Sequence, residues 1–496
     1  MATQPTAISD WLVVLPLLLC LAGAALLLVV RDRGRAQGWV AVALVAVVSV
    51  SDGALFERVL SLGPMSMTMG KWLPPFGISF TVDVLGAGLA TIAALVTAAV
   101  VLALLLDADE AASQQGLYSL VMLLLAGVTG AFLTGDLFNL YVWFEVMLMA
   151  SFGLVVIRGE PLQLDAAVKY AVPNMLATLL FLAALGLLYG TLGTLNMADI
   201  VGAAQHADPA LLLAIAGLFV LAFGVKAAVF PVNAWLPASY HAPPAAISAL
   251  LGALLTKVGL YAALRLLLML LPEARSGLST VLLVLAALTA TIGPLSAMAE
   301  TNLRRAIGFL LIGGVGVAFL ALADTNVGTA SGAVLYIVHA MLTFGALYLL
   351  AGVIERAARS ADTREMGGLY GTSSWLSILF FLLLLAVAGV PPLLGFWPKL
   401  LLLEGFVSAG DWIAVFALLI NGLLTLIAAA RLWSFVFWRP RSEPPERPRG
   451  TAPAVLLIGV IVLTGLSPNL LVRAANVAAA DLLHPARYIA AVGLAP

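Results

Sequence analysis

Apolar residues run along this chain in blocks of about 18 or more, broken by short stretches of Gly, Pro and charge, from near residue 10 to near residue 471. As a helix, each block is long enough to cross a hydrocarbon core of about 30 Å. The blocks predict helices near 10–30, 38–60, 78–106, 116–135, 137–157, 164–190, 209–232, 243–271, 277–298, 303–323, 328–354, 373–403, 410–437 and 453–472. The expected fold is an all-α integral membrane protein of about fourteen spans. Asp10, not a basic stretch, precedes the first block, and no small-residue cleavage site follows it, so it reads as a retained helix.

Composition agrees. The chain is 63% apolar and 10% charged over 496 residues, against roughly 45–50% and 25% in soluble domains. A net charge of −1 gives no reason to expect nucleic acid as a partner. Cys20 is the only cysteine, which excludes an internal disulfide, a CxxC redox pair and a cysteine-ligated cluster. His206, His241 and His484 lack metal-ligand spacing and no phosphate-cradling loop appears, so neither metal nor cofactor is expected.

Arginines then set the expected topology. Arg31, Arg33, Arg35, Arg158, Arg304, Arg305, Arg356, Arg359, Arg364, Arg439, Arg441, Arg447 and Arg449 fall in odd-to-even loops, while the opposite loops hold little beyond Arg58, Lys71 and Arg275. The positive-inside rule makes the first set cytoplasmic and leaves both termini outside. The stretch 439–449 reads as a cytoplasmic linker.

Pro231 in the seventh helix and Pro391–Pro392 in the twelfth each remove a backbone donor and break the helix. Interrupted helices at corresponding places in two halves point to inverted repeats around a transport site. The expected division is an N-terminal unit (1–112, helices one to three), a first repeat (113–272, helices four to eight) and a second (273–438, helices nine to thirteen). A linker, last helix and tail (439–496) follow.

The chain has five lysines, and four of them, Lys169, Lys226, Lys257 and Lys399, lie inside apolar blocks. A mid-helix lysine costs on the order of 3 kcal/mol to insert, so it is paired, hydrated or functional. Lys226 precedes Pro231 by five residues, where freed carbonyls favour a cation. Lys399 lies just past the second break, and Lys257 starts a polar stripe with Tyr261 and Arg265 at one-turn intervals. Glu145 lies about 13 Å into its helix with no charge within a turn. It is either a protonated structural acid or an ion-pair partner for a lysine on another helix. His339 would bridge Lys257 to Lys399 or serve as a packing residue. Asp136 at a helix entry suits an N-cap, and Lys169, four residues after Asp165, suits a local pair.

Four segments carry a family resemblance. Thr-Gly-Asp136-Leu-Phe-Asn-Leu-Tyr-Val-Trp-Phe-Glu145, Lys226-Ala-Ala-Val-Phe-Pro-Val-Asn-Ala-Trp-Leu-Pro, Leu-Leu-Thr-Lys257-Val-Gly and Gly-Val-Pro-Pro-Leu-Leu-Gly-Phe-Trp-Pro-Lys399 resemble the antiporter-like subunits shared by respiratory complex I and Mrp cation/proton antiporters. The segment from Gly70 to Ile78 with Asp83, Gly193-Thr-Leu-Asn-Met-Ala-Asp-Ile, Ala238-Ser-Tyr-His-Ala-Pro-Pro and the C-terminal Leu-Leu-His-Pro-Ala-Arg-Tyr-Ile resemble the D-type branch of Mrp. The resemblance implies a subunit of a hetero-oligomeric complex in the bacterial cell membrane that exchanges Na⁺, or another monovalent cation, for H⁺. Glu145, Lys226, Lys257, His339 and Lys399 would form its hydrophilic axis. Where many relatives carry a lysine five residues after the histidine matching His339, this chain has Phe344. The competing readings are the proton-pumping membrane arm of an NADH dehydrogenase or hydrogenase, and a scaffold whose charges serve assembly.

Overall fold

The computed structural model describes residues 8–69, 72, 74–107, 114–324, 326–440 and 445–494. Lys71 and Arg441, counted above among the loop charges, lie outside the described residues. The long helices are α1 (Leu15–Val29), α2 (Arg35–Leu62), α3 (Val84–Asp107), α4 (Leu117–Leu133), α5 (Leu137–Val155), α6 (Pro161–Leu192), α7 (Pro209–Ala227) and α8 (Ala245–Leu264). They continue with α9 (Pro272–Ala299), α10 (Leu303–Leu320), α11 (Val327–Ala358), α12 (Ser374–Ala388), α13 (Phe396–Ala409), α14 (Trp412–Trp433), α15 (Ala452–Leu466) and α16 (Asn469–Leu483). Among the described residues ten helices are long and apolar enough to cross a membrane, or eleven with the bent pair α15 and α16. The chain is a multi-pass, helical membrane protein.

Side chains fix several helix starts. Asp136, Asp208, Asn302, Asn326, Ser373 and Asp411 each accept a hydrogen bond from a first-turn N–H of the helix that follows. The 78–106 block divides because Ser79–Val82 forms a strand, β2, paired antiparallel with β1 (Met65–Thr68) in the register Met65 opposite Val82. The last block ends early: α15 stops at Leu466 and the chain turns by 81° into α16.

The two expected breaks are present, each earlier than its proline. α7 ends at Ala227, capped by Ala228 in the left-handed conformation (φ 62°). α12 ends at Ala388, capped by Gly389 (φ 86°). The chain cannot resume a helix at once because the prolines lack an N–H to donate.

Burial picks out the centre. α8, with its π-helical extension Arg265–Leu270, and α11 are each buried along their whole apolar stretch and pack against each other, whereas the apolar stretches of α2 and α6 are one-third buried. Close approach of α9 and α10 depends on glycine. A Cβ on Gly293 would lie 2.3 Å from the Gly313 nitrogen, and one on Gly316 2.2 Å from the Ala290 nitrogen.

Candidate functional site

Lys226 is the last polar residue of α7 before the first break, and it is buried. Its ammonium does not use the carbonyls that the break frees. Those of Gly224 and Val225 are taken by the Val229 N–H at 2.8 Å and the Trp235 indole at 2.9 Å. Lys226 Nζ instead donates to Thr178 Oγ1 on α6 at 3.0 Å and lies 5.0 Å from the centre of the Phe144 ring. Phe144 belongs to a phenyl cluster with Phe181 and Phe223, which leaves the ammonium few polar neighbours.

Glu145 follows Phe144 on α5. Its Oε1 is buried without a hydrogen-bond partner, and among the described residues no ion pair joins it to Lys226 in this conformation. What α5 places beside Lys226 is the Phe144 ring, so the expected pair is not in contact in this conformation.

α8 meets the first break directly: a Cβ on Gly259 would lie 3.0 Å from the Ala227 nitrogen. Two residues before it, Lys257 is fully buried, donates to its own helix at Gly252 O (2.7 Å) and faces the Phe344 ring at 5.3 Å. Phe344 therefore supplies a π face to the ammonium of Lys257.

His339 is buried on α11, one turn before Thr343, whose hydroxyl lies 3.1 Å from Nδ1; Nε2 has no partner. Its ring rests against the second break, since a Cβ on Gly395 would meet His339 Cε1 at 2.8 Å. Lys399, in the first turn of α13, reaches back across the break to the terminal carbonyls of α12, Val387 O (3.2 Å) and Ala388 O (2.9 Å). That is the negative end of the α12 dipole. Asn421 Oδ1 of α14 is 3.5 Å away, and its Nδ2 donates to Ala290 O at 2.8 Å.

The remaining expected residues have other places. Asp136 caps α5, its carboxylate accepting from Asn139 N at 2.8 Å. Lys169 pairs with Asp165 at 2.5 Å on the exposed face of α6. Tyr261 donates to Phe132 O (3.2 Å) and accepts from Arg265 Nε (3.2 Å). Pro231, Pro391 and Pro392 lie within the breaks. Among the described residues no His, Cys, Asp and Glu cluster could hold a metal.

Sequence reasoning passed over Thr178, Asn421 and Asp52. Asp52 is fully buried on the inward stripe of α2, with both carboxyl oxygens unpartnered among the described residues. A lone acid inside an apolar block was its visible signal.

Residues 134–425 match the family model described as NADH:quinone oxidoreductase/Mrp antiporter, TM. The chain is 36% identical to the D-type subunit of the Na(+)/H(+) antiporter of Bacillus subtilis strain 168, over 97% of this chain and 99% of the relative. It is 33% identical to a Rhizobium meliloti strain 1021 protein named as the probable D-type subunit of a K(+)/H(+) antiporter, over 98% and 99%. The solved Mrp complex from Dietzia sp. DQ12-45-1b contains a chain that superposes with a TM-score of 0.91 at 27% identity, covering 98% of this chain and 100% of that one.

Proposed function

The chain belongs to the NADH:quinone oxidoreductase/Mrp antiporter family of membrane subunits, and from that membership we propose that it is the D-type, proton-carrying subunit of a multisubunit cation/H⁺ antiporter. Its partners are the other Mrp-type subunits, and its substrates are H⁺ and a monovalent cation. Relatives named for Na⁺ and for K⁺ both resemble it, and Na⁺ is the reading adopted.

The observation that carries the proposal is a run of basic groups with no carboxylate in contact among the described residues: buried Lys226 and Lys257, half-buried Lys399, and buried His339, whose ring rests against the break that Lys399 spans. Ammonium groups held by hydroxyl, carbonyl and ring dipoles, with no carboxylate fixing the charge, suit proton exchange. In this reading Glu145 closes on Lys226 when Lys226 is charged and releases it when neutral. The changing field then shifts the proton between Lys257, His339 and Lys399 along the membrane midplane.

The finer architecture follows the same reading. Three apolar helices of 15, 17 and 15 residues, α1, α4 and α12, join the ten longer spans and the bent pair to give fourteen. α4 to α8 and α9 to α14 are the two inverted repeats, with the breaks at Ala228 and Gly389 as equivalent points. The Arg-rich loops are cytoplasmic, and the hairpin and both termini are outside.

The test replaces Glu145 or Lys226 with Ala and measures ΔpH-driven Na⁺/H⁺ exchange in everted vesicles bearing the complete complex. Loss of exchange with normal assembly is expected; unchanged exchange sinks the relay. Loss of assembly alone would favour the scaffold reading. Co-purification with iron–sulfur or NADH-binding subunits would place the chain in a redox-driven arm.

A further inference from the structure

Beside Lys399 stands a buried amide that the relay does not use. Asn421 of α14 is 2% exposed and joins three other helices. Its Nδ2 donates to Ala290 O of α9 at 2.8 Å and lies 3.4 Å from Gly313 O of α10, while its Oδ1 is 3.5 Å from Lys399 Nζ of α13. A side-chain amide has one accepting end and one donating end, so which end faces the lysine decides whether it supports the charge or opposes it.

The sequence of α9 settles that orientation. In an α-helix the carbonyl of Ala290 would accept from the N–H of residue 294, and residue 294 is Pro294, which has none. Ala290 O is therefore left open inside a membrane span, where only a donor can satisfy it. Asn421 supplies its NH2 group, and Gly313 gives the room: a Cβ there would lie 3.3 Å from Asn421 Nδ2 and 2.7 Å from Pro294 Cδ. With Nδ2 held by Ala290 and Gly313, Oδ1 is the end left for Lys399.

The lysine then meets three oxygens, Ala388 O at 2.9 Å, Val387 O at 3.2 Å and Asn421 Oδ1 at 3.5 Å. An ammonium has three N–H groups to give them. A neutral amine has two and a lone pair, which none of these oxygens can serve, and the amide cannot turn its NH2 round without reopening Ala290 O. We propose that Asn421 is a positioning residue for Lys399, oriented by the missing N–H of Pro294, and that it holds Lys399 in its charged form. The other helices at the break offer few competing groups. α12 and α15 carry no titratable residue, α14 has only Arg431, exposed and ten residues from Asn421, and α13 has Glu404, exposed and five residues past Lys399. α11 brings His339, whose ring lies against Gly395, with Tyr336 beside that ring. The charges of α9 and α10 lie in their first turns, at Glu273, Arg275, Arg304 and Arg305.

This inference rests on the relay proposed above, and its test separates the two. Exchange is measured across a pH series in everted vesicles bearing the complete complex. Asn421→Leu keeps a side chain of similar shape but removes one of the three oxygens, so the alkaline pH of half-maximal exchange should fall by about one unit. Pro294→Ala touches neither Lys399 nor Asn421. It restores an N–H that ties Ala290 O inside α9 and frees the amide to turn, so the midpoint should move in the same direction by a smaller amount. In the Asn421→Leu background Pro294→Ala should move it no further, because the proline acts through the amide. An unmoved midpoint in assembled Asn421→Leu complex overturns the proposal, as does a Pro294→Ala shift that simply adds to it. Should Asn421→Leu fail to assemble, Pro294→Ala decides alone, and an unmoved midpoint there overturns it. Lys399→Ala in the same assay decides the relay: exchange that persists sinks it, whereas lost exchange with an unmoved Asn421→Leu midpoint overturns only the role given to the amide.

Discussion

Thr178→Val removes the one hydrogen-bond partner that the Lys226 ammonium has among the described residues, and little else. Valine copies the shape of threonine with a methyl in place of the hydroxyl, so the packing of α6 on α7 is retained. What then faces the ammonium is the Phe144 ring at 5.0 Å. A hydrogen bond to a charged group contributes about 1.5–3 kcal/mol. At about 1.36 kcal/mol per factor of ten, the charged form of Lys226 becomes roughly 10- to 150-fold rarer relative to the neutral one. In the proposed relay each proton passes through protonated Lys226 and meets that penalty, so Na⁺/H⁺ exchange in everted vesicles should fall about tenfold or more. Thr178→Ser keeps the donor–acceptor geometry and should retain most of the rate. A cycle with Glu145→Gln measures how far the carboxylate compensates for the lost hydroxyl. Exchange by Thr178→Val at the parent rate across the whole pH range would refute the view that this hydroxyl holds the transported charge.

Three further outcomes follow from other sites. Asp52→Val removes a buried carboxyl with two unpartnered oxygens and should stabilise the purified complex by about 1–3 kcal/mol; a lower melting temperature would show that the acid has partners after all. Phe344→Leu removes the ring beneath Lys257, a contribution of about 0.5–2 kcal/mol, and should slow exchange without changing subunit assembly; an unchanged rate would make the contact incidental. His241, in the loop before α8, has its pKa lowered from the usual value of about 6.5, chiefly by burial and also by Arg305 and Arg304. Its neutral form is favoured on folding, so the unfolded chain takes the proton first and stability falls as pH drops below about 6.5. His241→Gln should flatten the loss of melting temperature on acidification, and an identical slope for both proteins would reject that origin.

Long-range pairing marks the limit of what could be read from the chain. Apolar blocks announce the spans, and prolines announce the breaks at Ala228 and Gly389 to within a few residues, because both signals are local. Asp136 as a cap and Lys169 with Asp165 are local too, and both were legible. The partners of the central charges were not. Thr178 is 48 residues from Lys226, and Asp83 is 182 from Arg265. A threonine in an apolar helix carries no mark that sets it apart from its neighbours. The hairpin was hidden because Ser79–Val82 continues the apolar run of α3, and strand and helix differ there only in pairing across the Pro-rich turn.

Once those partners are known, the two breaks stop being equivalent. Lys399 lies on the open carbonyls of α12, at the negative end of a helix dipole, with Asn421 tying that end to α9. Lys226 has its break's carbonyls already occupied by Trp235 and the Val229 N–H, and depends on one hydroxyl among phenyl rings. Fixed dipoles stabilise the charge at Lys399 whatever happens elsewhere, whereas Lys226 lies against the ring of Phe144, the residue before Glu145 on α5. A carboxylate moving toward or away from an ammonium with so little other support changes its proton affinity far more than the same motion would at Lys399. In the proposed relay this contrast assigns control to the first break and storage to the second.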